Sequence, residues 1–138
     1  VGIAKKFRSL EITRNHNAHL NISGFSKIMS SNSSIRFVQT KAEILHLLEQ
    51  NRNKIKDLGV SRCGLFGSFV RDRANENSDV DVLVSFTPGQ KTFDNFMHLS
   101  FLLEDMFGRT VDLVTTESLS PYLGSKILQE VEYVSLDN

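Results

Sequence analysis

The residues with chemistry to offer gather between Gly67 and Val84. Gly67-Ser68 follows the apolar pair Leu65-Phe66. Ten residues later, Asp79-Val80-Asp81 stands at the head of the apolar run Val82-Leu83-Val84. Side chains alternate across a strand, so Asp79 and Asp81 share one face. Two carboxylates side by side repel, and a hard divalent cation is the usual agent that offsets the repulsion. A third acid, Asp112, lies between Val111 and Leu113 in another apolar stretch. An acid there is costly to bury unless it is paired, protonated or metal-bound. Aligned beside Asp79 and Asp81, it completes a cluster able to hold two Mg²⁺ ions on the phosphates of a nucleotide. Gly67 lets the backbone approach a phosphate closely, and Ser68 adds a hydroxyl donor. A helix starting after them would present free N–H groups and a partial positive charge.

These residues need strands and helices to position them. Thr40-Lys41-Ala42-Glu43 fits a capping box opening a first helix. Ile44, Leu45, Leu48, Ile55 and Leu58 form its apolar stripe, and Gly59 is placed to end it. Val60 to Phe66 reads as a strand running into Gly67-Ser68. Phe69 to Ala74 is expected as a short helix and Asp79 to Phe86 as a second strand. In that strand Val80, Val82 and Val84 lie on the face away from the carboxylates. Thr87-Pro88-Gly89-Gln90 is a turn. Thr92 caps a long helix through Phe107, stopped by Gly108, with Phe93, Phe96, Met97, Leu103 and Phe107 inward. Arg109 to Thr115 is a third strand. Ser120-Pro121 opens a last helix with Leu123, Ile127 and Leu128 inward, and Glu130 to Val134 is a final short strand. Strands separated by helices, without an internal repeat, indicate an α+β, sandwich-like domain with helices packed on a mixed sheet.

Composition sets the outer limits. A chain of 138 residues suits one domain. Sixteen basic residues balance sixteen acidic ones, which gives no strong nucleic-acid signal. The single cysteine, Cys63, excludes an internal disulfide and reads as a buried small residue. No apolar run approaches the ~20 residues of a membrane helix, and no secretory signal pattern is visible, so a cytoplasmic location is expected. His46 and His98 sit on predicted helices with no ligand partner in sight. Residues 1–35 read as an N-terminal extension ahead of a domain spanning 36–138. The extension carries Arg8, His16 and His19 without sustained periodicity and ends in the linker-like Ser30-Ser31-Asn32-Ser33-Ser34. Met29 just before that linker is a possible natural start, with the residues ahead of it added or translated from further upstream.

Leu65-Phe66-Gly67-Ser68, Ser78-Asp79-Val80-Asp81-Val82-Leu83-Val84 and the Val111-Asp112-Leu113-Val114 strand together resemble the nucleotidyltransferase superfamily of DNA polymerase β type. The nearest likeness is to its smallest branch, the minimal nucleotidyltransferases. It extends through Leu119-Ser120-Pro121-Tyr122 to Ile127-Leu128 and covers roughly Val38 to Val134. The resemblance implies a palm-like nucleotidyltransferase fold and Mg²⁺-dependent transfer of a nucleoside monophosphate, with ATP as donor, to a hydroxyl. Asp79, Asp81 and Asp112 would be the catalytic metal ligands, with Asp112 also serving the acceptor as base. Gly67 and Ser68 would hold the triphosphate. Arg71 matches an arginine common in the family and either touches phosphate or braces the carboxylates. The family usually has glycine where this chain has Asp72, which aspartate can replace in a left-handed backbone.

The same resemblance implies an acceptor. Many minimal nucleotidyltransferases pair with a small helical HEPN-type protein, so the expected role is an antitoxin attaching AMP to a tyrosine of that toxin. Nucleotidyl transfer to a small molecule such as an aminoglycoside is the alternative within enzymes. It would need an acidic pocket from Glu104, Asp105 or Glu117. A binding antitoxin without catalysis is the alternative outside enzymes, and homo-oligomerisation stays open.

Overall fold

A computed structural model describes residues 37–137. The expected N-terminal extension, with Arg8, His16, His19 and Met29, lies outside the described residues. The element order is α1 (Lys41–Gln50), α2 (Arg52–Asp57), β1 (Val60–Phe66), a 3₁₀ turn (Gly67–Phe69), β2 (Val80–Phe86), α3 (Phe93–Phe107), β3 (Val111–Thr115), a second 3₁₀ turn (Thr116–Ser118), α4 (Pro121–Glu130) and β4 (Glu132–Val134). The strands form one mixed sheet in the order β3-β2-β1-β4. β2 and β3 run parallel, joined through α3 because parallel strands need a long crossover. β1 is antiparallel to both β2 and β4.

The start signals read from the sequence are realised. Thr40 Oγ1 accepts from Glu43 N at 3.1 Å, and Thr40 N donates to Glu43 Oε1 at 3.1 Å, closing the capping box. Thr92 and Ser120 cap α3 and α4 through Asn95 N and Leu123 N. Gly108 ends α3 in the left-handed region at φ 64°.

The first helix is not continuous. Asn51, at φ −106° and ψ 18°, divides it into α1 and α2. The Asn51 amide donates to Leu47 O at 2.8 Å and so competes with the regular helical bond. The apolar stripe survives the break, with Ile44, Leu48 and Ile55 fully buried.

Each sheet face has its own cover. Val80, Val82, Val84, Val111, Leu113, Cys63 and Leu65 face α1, α2 and α3, where Leu99, Leu103 and Phe107 complete the main core. Phe66, Leu83 and Val114 lie on the other face under Leu119, Ile127 and Val131. A fully buried leucine or phenylalanine contributes roughly 1.5–3 kcal/mol by leaving water, so this core carries the fold. Two expected inward sets are corrected. Phe93, the first residue of α3, remains 58% exposed. On α4 only Ile127 turns inward. Leu123 and Leu128 are exposed, because α4 meets the sheet through Ile127, while Gly124 lies against Leu119.

Cys63 is wholly buried, and burial pushes its thiol up to about 12 from an ordinary value of 9.0. The native protein should therefore resist thiol reagents at pH 8, reacting only in step with denaturant-induced unfolding. Labelling at the rate of a free thiol without denaturant would contradict this. Because the folded value lies above the unfolded one, the associated stability is intact below about pH 9 and falls as pH rises toward 12.

Candidate active site

The parallel ladder sets Asp81 directly opposite Asp112. Paired residues of neighbouring strands share a face, so both carboxylates emerge on the side covered by α4. Adjacent strands are about 4.8 Å apart, and like charges at that spacing repel by roughly 1–3 kcal/mol, depending on solvent screening. Asp112 is only 8% exposed, and its Oδ1 is buried with no hydrogen-bond partner. Leaving a charged oxygen in that condition costs more than burying an apolar atom of the same size. An orphaned anionic oxygen beside a second carboxylate is the donor chemistry that suits a hard cation such as Mg²⁺.

Asp79 lies one residue before β2 rather than inside it, so the strand starts at Val80. Among the described residues, no three His, Cys, Asp or Glu side chains converge into a ready-made metal cage. The fold thus brings Asp79, Asp81 and Asp112 to one end of the sheet without closing their side chains on a point. Mutual repulsion of like charges opposes that closure.

The loop delivering Asp79 is built by its own polar residues. Asn75 N donates to Ser78 Oγ at 2.8 Å, and Asn77 N donates to Asn75 Oδ1 at 2.8 Å. Arg109 anchors it to the rest of the domain. Its Nη1 donates to Asn75 O at 2.9 Å and Ser78 O at 3.0 Å, and its Nε to Val38 O at 2.6 Å. The guanidinium also stacks near Phe37 and Phe69, with centroid distances of 5.0 and 5.1 Å. Asp79, Asn77, Ser78, Arg109 and Thr110 line a cleft of about 390 Å³ at the entrance of β2 and β3.

Gly67 has φ +84°, and a Cβ there would fall inside the Asp81 carboxylate. Glycine is therefore dictated by the close approach of Asp81 as well as by the backbone. The expected helix from Phe69 to Ala74 is replaced by the three-residue 3₁₀ turn and further turns. Asp72, at φ 59°, takes the left-handed conformation that prevents an α-helix from continuing. Without an α-helix here, the electrostatic help expected from a helix dipole is reduced to that of local N–H groups. Ser68 is half-buried at the head of the turn. Arg71 does not brace the three aspartates. Its Nη1 lies 3.1 Å from Glu130 Oε1 and 3.3 Å from Oε2.

Glu130 and Arg109 are the residues that reasoning from sequence left in plain strand positions. A charged side chain at the end of an apolar-faced helix, as Glu130 is, was the available signal. Glu104, Asp105 and Glu117 do not gather into an acidic pocket. Glu104 Oε2 accepts from Val111 N at 3.0 Å and tidies the start of β3. Glu117 pairs with Lys91 beyond the opposite end of that strand, and the Thr116 hydroxyl holds its carboxyl below the usual range.

A mixed sheet carries paired strand aspartates beside a glycine-serine turn. The chain matches the nucleotidyltransferase domain over residues 48–134 and belongs to that family, in its minimal nucleotidyltransferase branch. The protein adenylyltransferase MntA of Thermococcus cleftensis is 38% identical over 96 residues, covering 69% of this chain and 96% of that protein. A solved structure assigned as a minimal nucleotidyltransferase aligns with 34% identity and a TM-score of 0.54, covering 64% of this chain and 93% of its own. A chain of an MntA toxin–antitoxin complex aligns at 21% identity and a TM-score of 0.50, over 71% of this chain and 73% of its own, and shares the fold. The protein is thus an enzyme of the nucleotidyltransferase class. No described helix is long and apolar enough to cross a membrane.

Two substitutions probe this geometry. Asp112→Asn should raise the unfolding free energy in chelator by about 1–3 kcal/mol, because it removes a buried, repelled charge. Urea denaturation measures it, and a loss of stability would contradict the account. Gly67→Ala should lower stability by about 1–3 kcal/mol from the positive φ and displace Asp81. A crystal structure of the variant with Asp81 unmoved would show the approach is not restrictive.

Proposed function

We propose that the protein moves AMP from ATP to the hydroxyl of a tyrosine on a small helical HEPN-type partner, as the antitoxin of a toxin–antitoxin pair. The observation that carries the reaction is the in-register Asp81–Asp112 pair, with the unpartnered Asp112 Oδ1 beside it. Asp79, Asp81 and Asp112 are the residues that would hold Mg²⁺. When bound, the metal lowers the pKa of the acceptor hydroxyl and neutralises charge on the departing pyrophosphate. Asp112 would receive the acceptor's proton. The freed oxygen forms its bond to the α-phosphorus as the bond to the pyrophosphate oxygen breaks, so one AMP is transferred and one pyrophosphate released. Ser68 and the turn's backbone donors orient the triphosphate tail, and Arg71 supplies positive charge to it.

The protein acceptor is favoured by the likeness to MntA, itself a protein adenylyltransferase, and by the shape of this chain. The cleft beside Asp79 is open rather than a closed drug-sized cavity. Tyr122, Leu123 and Leu128 remain exposed on α4, which covers the carboxylate face, and offer apolar surface to a partner. The scattering of Glu104 and Glu117 leaves no acidic pocket to favour a cationic antibiotic.

Incubation with a HEPN-type partner, ATP and Mg²⁺ tests the proposal by intact-protein mass spectrometry. The wild type should add AMP to the partner, and an Asp79→Ala/Asp81→Ala variant should be slower by about 10³-fold or more. Replacing the partner's acceptor tyrosine with phenylalanine should abolish the modification. No adenylation by the wild type, with full neutralisation retained by an Asp79→Ala/Asp81→Ala/Asp112→Ala variant, would instead identify a binding antitoxin.

A further inference from the structure

The strongest unassigned feature near the site is a carboxylate behind the glycine-serine turn. Glu130, the last residue of α4, accepts from Gly67 N at 2.6 Å through Oε2. The same carboxylate pairs with Arg71, whose Nη1 lies 3.1 Å from Oε1 and 3.3 Å from Oε2. The Glu130 side chain is 23% exposed, so water screens these bonds only in part. Charge-assisted bonds of this kind are shorter and stronger than neutral ones.

The position of the carboxylate decides what it does. β1 is flanked by β2 on one edge and by β4 on the other. The β1–β4 ladder pairs Leu65 with Glu132, so two pairs further on it would set Gly67 against Glu130. There the chain has not yet entered β4, and the Glu130 side chain supplies the acceptor in place of a backbone carbonyl. The carboxylate therefore stands on the β4 side of the turn, whereas Asp81 closes on the Gly67 α-carbon from the β2 side. Both Arg71 contacts use Nη1, which leaves the Nε and Nη2 donors of the guanidinium fork to turn toward an anion.

We infer that Glu130 is a positioning residue of the nucleotidyl-transfer site, which fixes the Gly67-Ser68 turn and aims Arg71 at the triphosphate. It touches neither substrate nor reacting atoms and acts through Gly67 and Arg71. The inference rests on the nucleotidyl-transfer reading above and adds a residue to it.

The test measures ATP affinity by calorimetry, steady-state KM and kcat, and thermal stability for Glu130→Ala, Glu130→Gln, Arg71→Ala and the Arg71→Ala/Glu130→Ala double variant. Glu130→Ala should weaken ATP binding and raise its KM by about tenfold or more, with a smaller change in kcat. Glu130→Gln keeps an acceptor for Gly67 N but no charge for Arg71, so it should fall between wild type and alanine. The double variant should lose less than the sum of the two single losses, since part of the Glu130 effect runs through Arg71 and part through Gly67. If Glu130→Ala does not fold, a raised KM in Glu130→Gln at unchanged thermal stability carries the same result. Tighter ATP binding on removal of the carboxylate would make Glu130 a competitor of phosphate and overturn the inference. A lowered melting temperature with KM and affinity unchanged would reduce it to a structural contact, and additive losses in the double variant would separate it from Arg71. A wild type that neither binds nor transfers nucleotide would remove the functional reading itself. A wild type that does both, with variants that match it, would remove only the role of Glu130.

Discussion

The site depends on one unfavourable interaction held in place by many favourable ones. Parallel pairing of β2 with β3 sets Asp81 against Asp112, in a register that neither side chain would choose alone. That register is secured by the apolar residues around them. Val80, Val82, Val111 and Leu113 turn to the helical layer, while Leu83 and Val114 meet α4. A one-residue slip of either strand would turn that strand's aspartate into the main core. The packing of valines and leucines thus fixes the separation of two charges, and the repulsion is tolerated because the alternatives cost more. Active sites commonly hold strain that the surrounding structure over-determines.

The same logic explains why the turn after β1 is so constrained. Phe66 pairs with Asp81, which brings the next residue against the Asp81 carboxylate. Only glycine fits that approach, and a positive φ redirects the chain across the end of the sheet. Asp72 reverses it again at φ 59°, and the Asn75–Ser78 bonds with Arg109 return it to the mouth of β2. Gly67, Asp72 and Arg109 thereby act on the position of Asp79 and Asp81 without belonging to the acidic set.

Elements governed by local rules were legible in the sequence. The Thr40 capping box, the Gly108 stop, the Ser120-Pro121 start and the alternation of Val80, Val82 and Val84 each depend on a few adjacent residues. The acids could be found because Asp79-x-Asp81 and Asp112 interrupt apolar strands where bare charge is costly. Features set by distant partners were not legible. The outward turn of Leu123 and Leu128 follows from how α4 rests on a sheet of four strands. The bond from Gly67 to Glu130 spans sixty-three residues, and no local pattern announces it.

That long-range bond also bears on why the tail of the domain follows the chemistry in sequence order. The strands holding the aspartates are complete by Thr115, yet β1 would then have an open edge, and Gly67 N would lack an acceptor. α4 and β4 supply both. β4 closes the edge from Cys63 to Leu65, and Lys41 reaches Glu132 at 2.8 Å to tie the tail to α1. Glu130, the last residue of α4, then reaches the turn that the strand itself does not cover. Closing a loop of this length costs only slightly more entropy than closing a short one, because the cost grows with the logarithm of length. A late segment can therefore hold an early turn at little extra cost. The exposed apolar side chains of α4 sit on the same segment as Glu130. Contact made there is one covalent helix away from the Gly67-Ser68 turn and Arg71.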